Sequence, residues 1–151
     1  MIVSDRTTLI ILFDMGKIEL LSNIFRKVYI PHSVYEEINF KKGVVLPDFM
    51  EVVQVETSEH LNTLQLILDL GESEAIALAK EKSLPLMIDE KKGRKIAQNL
   101  DIKIIGLLGV LYLNIKKDFL TKHGAKIFLK SAIENGYRIS EKLIDEMMES
   151  L

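Results

Sequence analysis

The 151-residue sequence has no cysteine, so neither a disulfide nor a thiolate metal site can form. That fits a cytoplasmic protein. No apolar stretch reaches the roughly 18 residues that a membrane-spanning helix needs. Asp5 and Arg6 interrupt the first apolar run, so no signal-peptide pattern opens the chain. Histidine is scarce: His32, His60 and His123 stand alone, without the spacing of a metal-ligand pair. Histidine catalysis is therefore set aside. Aromatic residues are few and no Trp is present; Phe13, Phe25 and Phe128 fall at apolar-face positions, where core packing is the expected role. Internal repeats, low-complexity tracts and long linkers are absent. The expectation is one domain over residues 1–151, with residues 121–151 a helical C-terminal extension.

What is present suits a globular core. Hydrophobic residues make up 48% and charged residues 28%, which excludes a disordered chain. The net charge of −2 conceals an uneven distribution. Residues 1–84 carry 8 basic and 13 acidic groups, a net of −5, whereas residues 85–130 carry 10 basic and 4 acidic groups, a net of +6. The remaining residues return to −3. A basic segment in an acidic protein can steer a polyanion without adhering to every nucleic acid; solvated lysines on helix faces are the plainer account.

Apolar spacing alternates between strand-like runs and helical periods. Strands are expected at residues 1–4, 27–30, 50–55, 84–88 and 102–105. Helices are expected around Leu9–Phe13 up to Gly16, over 17–25, from Pro31 to about Lys42, from Ser58 through Leu70, from about Glu72 to Lys82, over 90–100, and after Gly106. The tail is expected to be helical in two pieces split at Gly136. Such alternation predicts a three-layer α/β/α sandwich around a central, mostly parallel sheet.

Asp5 and Asp89 each follow a short apolar strand, and parallel sheets bind ligands beyond the carboxyl ends of their strands. With Glu37 and Glu74 nearby they would form an acidic pocket for a hard dication, Mg²⁺ or Mn²⁺. Such an ion polarises a phosphoryl oxygen and lowers the pKa of bound water. Each acid also has a plainer role. Asp5 and Asp89 stand where N-caps belong. Glu37 shares a helix face with Glu36, and Glu74 suits a helix first turn. Only their joint placement argues for a site. Thr7 offers a hydroxyl beside Asp5, and Lys91 and Arg94 offer cations to RNA phosphates; a helix end and solvated surface are the plainer readings of these three.

Several segments in order resemble PIN domains, and within them a branch of short prokaryotic proteins similar to VapC-type toxin nucleases. They are Ile2-Val3-Ser4-Asp5-Arg6-Thr7-Thr8-Leu9-Ile10, Gly16-Lys17-Ile18-Glu19-Leu20-Leu21 and Ile30-Pro31-His32-Ser33-Val34-Tyr35-Glu36-Glu37-Ile38. Leu70-Gly71-Glu72-Ser73-Glu74-Ala75-Ile76-Ala77-Leu78-Ala79 is the most diagnostic. Ile88-Asp89-Glu90-Lys91-Lys92-Gly93-Arg94-Lys95-Ile96-Ala97 and Ile105-Gly106-Leu107-Leu108-Gly109-Val110-Leu111 complete the set. The resemblance covers roughly residues 1–115. It implies a Mg²⁺- or Mn²⁺-dependent single-strand endoribonuclease, with Asp5, Glu37, Glu74 and Asp89 as metal-binding and catalytic acids. It also implies an antitoxin protein as partner and a homodimer. Three departures stand out: Arg6-Thr7-Thr8 replaces small residues and proline, Leu107 replaces a threonine, and Glu90 adjoins Asp89.

Arg6 keeps an alternative open, a catalytically inactive PIN-like module that binds RNA or a protein. A phospho-signalling receiver would need a pair of acids after the first strand, and only Asp5 is there. A haloacid-type phosphatase would need an aspartate where Thr7 stands.

Overall fold

The computed structural model describes residues 1–43 and 45–151, and the side chains of these apart from residues 40–42. Five short strands form one sheet: β1 (Ile2–Ser4), β2 (Val28–Pro31), β3 (Met50–Val53), β4 (Leu86–Met87) and β5 (Ile104–Ile105). Their order is β3-β2-β1-β4-β5, and every pairing is parallel. The helices between and after them are α1 (Arg6–Asp14), α2 (Glu19–Ser22), α3 (His32–Lys42), α4 (Glu59–Gln65), α5 (Leu70–Lys82), α6 (Lys91–Asn99), α7 (Leu107–Lys116), α8 (Lys122–Glu134) and α9 (Glu141–Glu149).

Side chains alternate across the strands, so each strand feeds two cores. Ile2, Val28, Ile30 and Met87 pack with Leu9 and Leu12 of α1, Val34 and Ile38 of α3, and Val110 and Leu111 of α7. Val3, Leu86 and Ile88 face the other way, onto Ile76, Leu78 and Ala79 of α5 and Ala97 of α6. Helices therefore cover both faces of a parallel sheet, as the alternating pattern predicts. Phe128 and Leu129 of α8 and Met147 of α9 extend the first core, so the C-terminal helices are packed into the molecule.

The topology positions the site. From β1 the chain steps outward to β2 and β3, then crosses back so that β4 lies on the other side of β1. The order reverses between β1 and β4, and a crevice opens at such a reversal beyond the carboxyl ends of the strands. Asp5 and Asp89 follow those two strands. The β1–β4 ladder runs up to this point, with the Asp5 N–H donating to the Met87 carbonyl at 2.9 Å.

Two local expectations need correction. Pro31 closes β2, opposite Val53, instead of occupying the first helical position of α3. The helix expected from Ser58 through Leu70 stops at Gln65, and α5 starts at Leu70, before Gly71. The cause is Asp69, whose Oδ1 accepts the Glu72 N–H at 2.8 Å and caps α5. Gly71 thus lies in the first turn of α5 and breaks nothing.

Among the buried polar residues, Asn114 ties α7 to α2. Its amide donates to the Leu20 and Val110 carbonyls, each at 2.9 Å, and its Oδ1 accepts from Asn23 at 3.1 Å. Replacing it leaves a buried carbonyl and an amide without partners. Asn114→Ala should lower stability by about 2 kcal/mol, read as a reduced urea midpoint with unchanged slope; an unaltered midpoint would mean the network adds nothing.

Candidate functional site

Asp5 follows the carboxyl end of β1 and is 1% exposed. Among the described residues neither of its carboxylate oxygens has a hydrogen-bond partner, although it occupies the N-cap position of α1. Burial, with Asp69 and Glu37 adding like charge, outweighs the Arg6 backbone N–H and guanidinium and lifts its pKa to about 6.

Arg6, the next residue, turns its guanidinium onto two acids. Nη1 lies 2.9 Å from Asp69 Oδ2, and Nε lies 3.3 Å from Glu37 Oε1. Asp69 is held below the usual carboxylate range: burial pushes it up, but the Glu72 N–H, the Arg6 guanidinium and the Glu72 carboxyl more than offset this. Glu72 goes the other way, to about 7, because it is desolvated, hydrogen-bonded to Asp69, and repelled by Asp69, Asp5 and Glu90. Its side chain extends beneath α6. A Cβ on Gly93 would stand 3.0 Å from Glu72 Oε2 and 2.7 Å from Ile88 Cδ1, so glycine is needed for this close approach.

The expected acids are thus distributed over different partners. Glu37 reaches the pocket beside Asp5 and is paired with Arg6. Asp89 lies at the carboxyl edge, as expected, but braces helices: Oδ1 accepts the Leu107 N–H at 3.1 Å, and Oδ2 accepts the Thr8 hydroxyl. Glu74 accepts a hydrogen bond from Ser33 of α3. Glu72 and Glu74 are two residues apart, about 200° around a helix, so they meet different neighbours: Glu72 meets Asp69, and Glu74 meets Ser33, which lines a cavity with Glu37 and Asp69. Sequence reasoning missed both Asp69 and Glu72. The available signal was Asp69-Leu70-Gly71-Glu72, an N-cap residue followed three positions later by glutamate.

Thr7 and Arg94 line a cavity of about 460 Å³ that also touches Asp89, Gly106 and Arg138. Met147 and Leu143 of α9 form part of its wall. The hydroxyl that meets a carboxylate is that of Thr8, which is buried, whereas Thr7 faces the cavity. Lys91, at the start of α6, is exposed. Glu90 precedes it as the N-cap residue and makes no side-chain capping bond.

A dication needs several oxygens converging on one point. Asp5, with two unsatisfied oxygens, suits such an ion. The other expected acids do not: Glu37 is paired with Arg6, Asp89 with Thr8 and Leu107, and Glu74 with Ser33. Among the described residues no group of three or more acidic or histidine side chains is placed to hold a metal ion. As the side chains stand, the expected set does not fit Mg²⁺ or Mn²⁺.

Both raised acids make stability depend on pH. Where a folded-state pKa exceeds the unfolded one, the folded protein holds the extra proton, and stability falls with rising pH. The contribution of Asp5 and Glu72 is complete below about pH 4 and is lost as pH climbs through about 6 and 7. Asp69, held low, acts in the opposite sense and at more acidic pH. Asp5→Asn should therefore flatten the decline between pH 5 and 8 and stabilise the protein at pH 8, by on the order of 1 kcal/mol. Melting temperatures of both proteins across that range provide the check, and parallel curves would contradict the assignment.

A family model described as "DUF3368: PIN domain" matches residues 1–151. A search of curated proteins finds no match. Among solved structures, the chain is similar to a PilT N-terminus domain protein, SSO1118, from the archaeon Sulfolobus solfataricus P2. Identity is 16% and the TM-score is 0.45, over 92% of this chain and 98% of the other. No helix among the described residues is long and apolar enough to cross a membrane. With the family model spanning every residue, the chain belongs to the PIN-domain family.

Proposed function

We propose that this chain is a PIN-fold module that binds single-stranded RNA without cutting it. The observation that carries this reading is the engagement of its acids. Glu37, Asp89 and Glu74 each already have a partner within the protein, and for Glu37 that partner is a cation. The cleft beside them suits a phosphate backbone. Arg94 and Arg138 stand on its wall, and the segment that supplies Arg94 carries most of the excess positive charge. Guanidinium groups bind phosphate oxygens through paired N–H donors. Lys91 adds an exposed cation at the start of the same helix as Arg94.

A second reading, a metal-dependent ribonuclease of the toxin type acting with an antitoxin partner, is favoured by one observation. Asp5 keeps a buried carboxylate with no hydrogen-bond partner among the described residues, and such a group calls for a cation or a proton. In that reading Asp5 and Asp89 are essential.

One experiment distinguishes the two. A labelled single-stranded RNA is titrated in EDTA and followed by fluorescence anisotropy, then incubated with the protein and Mn²⁺. Binding is expected without metal. Arg94→Ala and Arg138→Ala should each weaken it roughly 3- to 10-fold and reduce the salt slope by about one. The RNA should remain intact. Binding indifferent to both arginines would overturn the proposal. Cleavage in Mn²⁺ that disappears in Asp5→Asn and Asp89→Asn would establish the second reading in its place.

A further inference from the structure

Helix α9 turns one stripe of side chains into the cavity that Arg94 and Arg138 line. Leu143, Glu146 and Met147 recur at the three- and four-residue spacing that puts residues on one helix face, and all three line that cavity. Ile11 of α1 and Leu107 of α7 add to its apolar lining. Leu143 is 45% exposed, so its apolar side chain is left partly uncovered. The cavity, about 460 Å³, therefore joins an apolar slot to two guanidinium groups. Two carboxylates also line it, and they differ. Asp89 is committed to Thr8 and to the Leu107 N–H. The Glu146 carboxylate is exposed and has no hydrogen-bond or ion-pair partner among the described residues.

A free carboxylate is out of place in a cleft that binds phosphate alone, because it repels the backbone that the arginines attract. It gains a use where the ligand brings N–H donors. We propose that this cavity is a base pocket and that Glu146 selects guanine in single-stranded RNA. Unpaired RNA bases are splayed from the strand, packed against side chains and read by hydrogen bonds to their Watson–Crick edge. A carboxylate only accepts, through two oxygens side by side. Guanine offers two adjacent donors on that edge, N1–H and N2–H, in the parallel pair that a carboxylate accepts. Uracil offers one, N3–H. Adenine and cytosine each set an amino donor beside a bare ring nitrogen, whose lone pair repels the second oxygen. The guanine ring would lie against Leu143 and Met147, whose thioether suits aromatic contact, while the flanking phosphates meet Arg94 and Arg138. The cavity volume is within the range of pockets that hold one small organic group. This inference rests on the RNA-binding reading and adds to it the identity of one base.

The test compares short labelled oligouridines that carry one central guanosine, inosine or adenosine, by fluorescence anisotropy on the full chain in EDTA. Inosine lacks the N2 amino group and keeps the rest of the guanine ring, so it removes one of the two donors. The parent is expected to bind the guanosine strand on the order of tenfold more tightly than the other two. Glu146→Gln should remove most of that preference: the guanosine strand loses affinity, while the others hold or gain, since a charge that repels phosphate is gone. A rise shared equally by every strand would mean that Glu146 acts through its charge alone, and it overturns the proposal. So does a parent that does not distinguish guanosine from inosine. 5′-GMP by itself should bind much more weakly than the strand, because it brings a single phosphate; equal affinity would overturn RNA as the source of the base. Equal binding of all strands that still depends on Arg94 and Arg138 removes this inference and leaves the RNA-binding reading standing. A chain that binds none of the strands removes both.

Discussion

Several carboxylates gathered at the carboxyl edge of one sheet repel each other, and the fold has to neutralise them. Arg6 meets most of that need. It pairs Asp69 and Glu37, and it stands next in sequence to Asp5. A proton meets another part, through the raised pKa of Glu72 and its hydrogen bond to Asp69. Two further acids are satisfied structurally, Asp89 by the start of α7 and by Thr8, and Glu74 by Ser33. The architecture around the crevice is the result of these separate neutralisations.

The same contacts hold the layers in register. Asp89 follows β4 and binds both α1 and α7, which lie on one face of the sheet. Asp69 caps α5 on the other face and reaches across to Arg6 at the start of α1. The acidic centre is therefore a structural joint between two helical layers as well as a candidate site. A partly buried, hydrogen-bonded polar network of this kind favours one arrangement over its alternatives, whether or not the protein also processes RNA.

Binding and hydrolysis make different demands on this edge. Hydrolysis requires oxygens left free to converge on an ion, whereas binding requires cations left free to meet phosphate. Asp5 answers the first demand, and Arg94 and Arg138 answer the second. The C-terminal helices contribute to the same crevice: Arg138 precedes α9, and Leu143 and Met147 within α9 wall the cavity. Residues beyond the segments that carry the family resemblance thus shape what the crevice can accept.

The order of strands and helices was legible in the sequence, because alternating and helical apolar periods are local properties. So were Asp5 and Asp89 at strand ends, and Arg6 as a cation beside them. The meeting of Glu72 with Asp69 was not legible. It depends on where α5 begins, which Asp69 sets by capping, and on the absence of a side chain at Gly93 beneath the neighbouring helix. Nor does sequence reveal which acid Arg6 will select. Glu37 lies 31 positions away, on the connection between β2 and β3, and Asp69 lies 63 away, on the crossover between β3 and β4, and the fold brings both to the same guanidinium. Local chemistry thus specified the elements and the residues at their ends. Long-range packing decided which charges meet, because electrostatic partners are chosen by distance in space and not by separation along the chain.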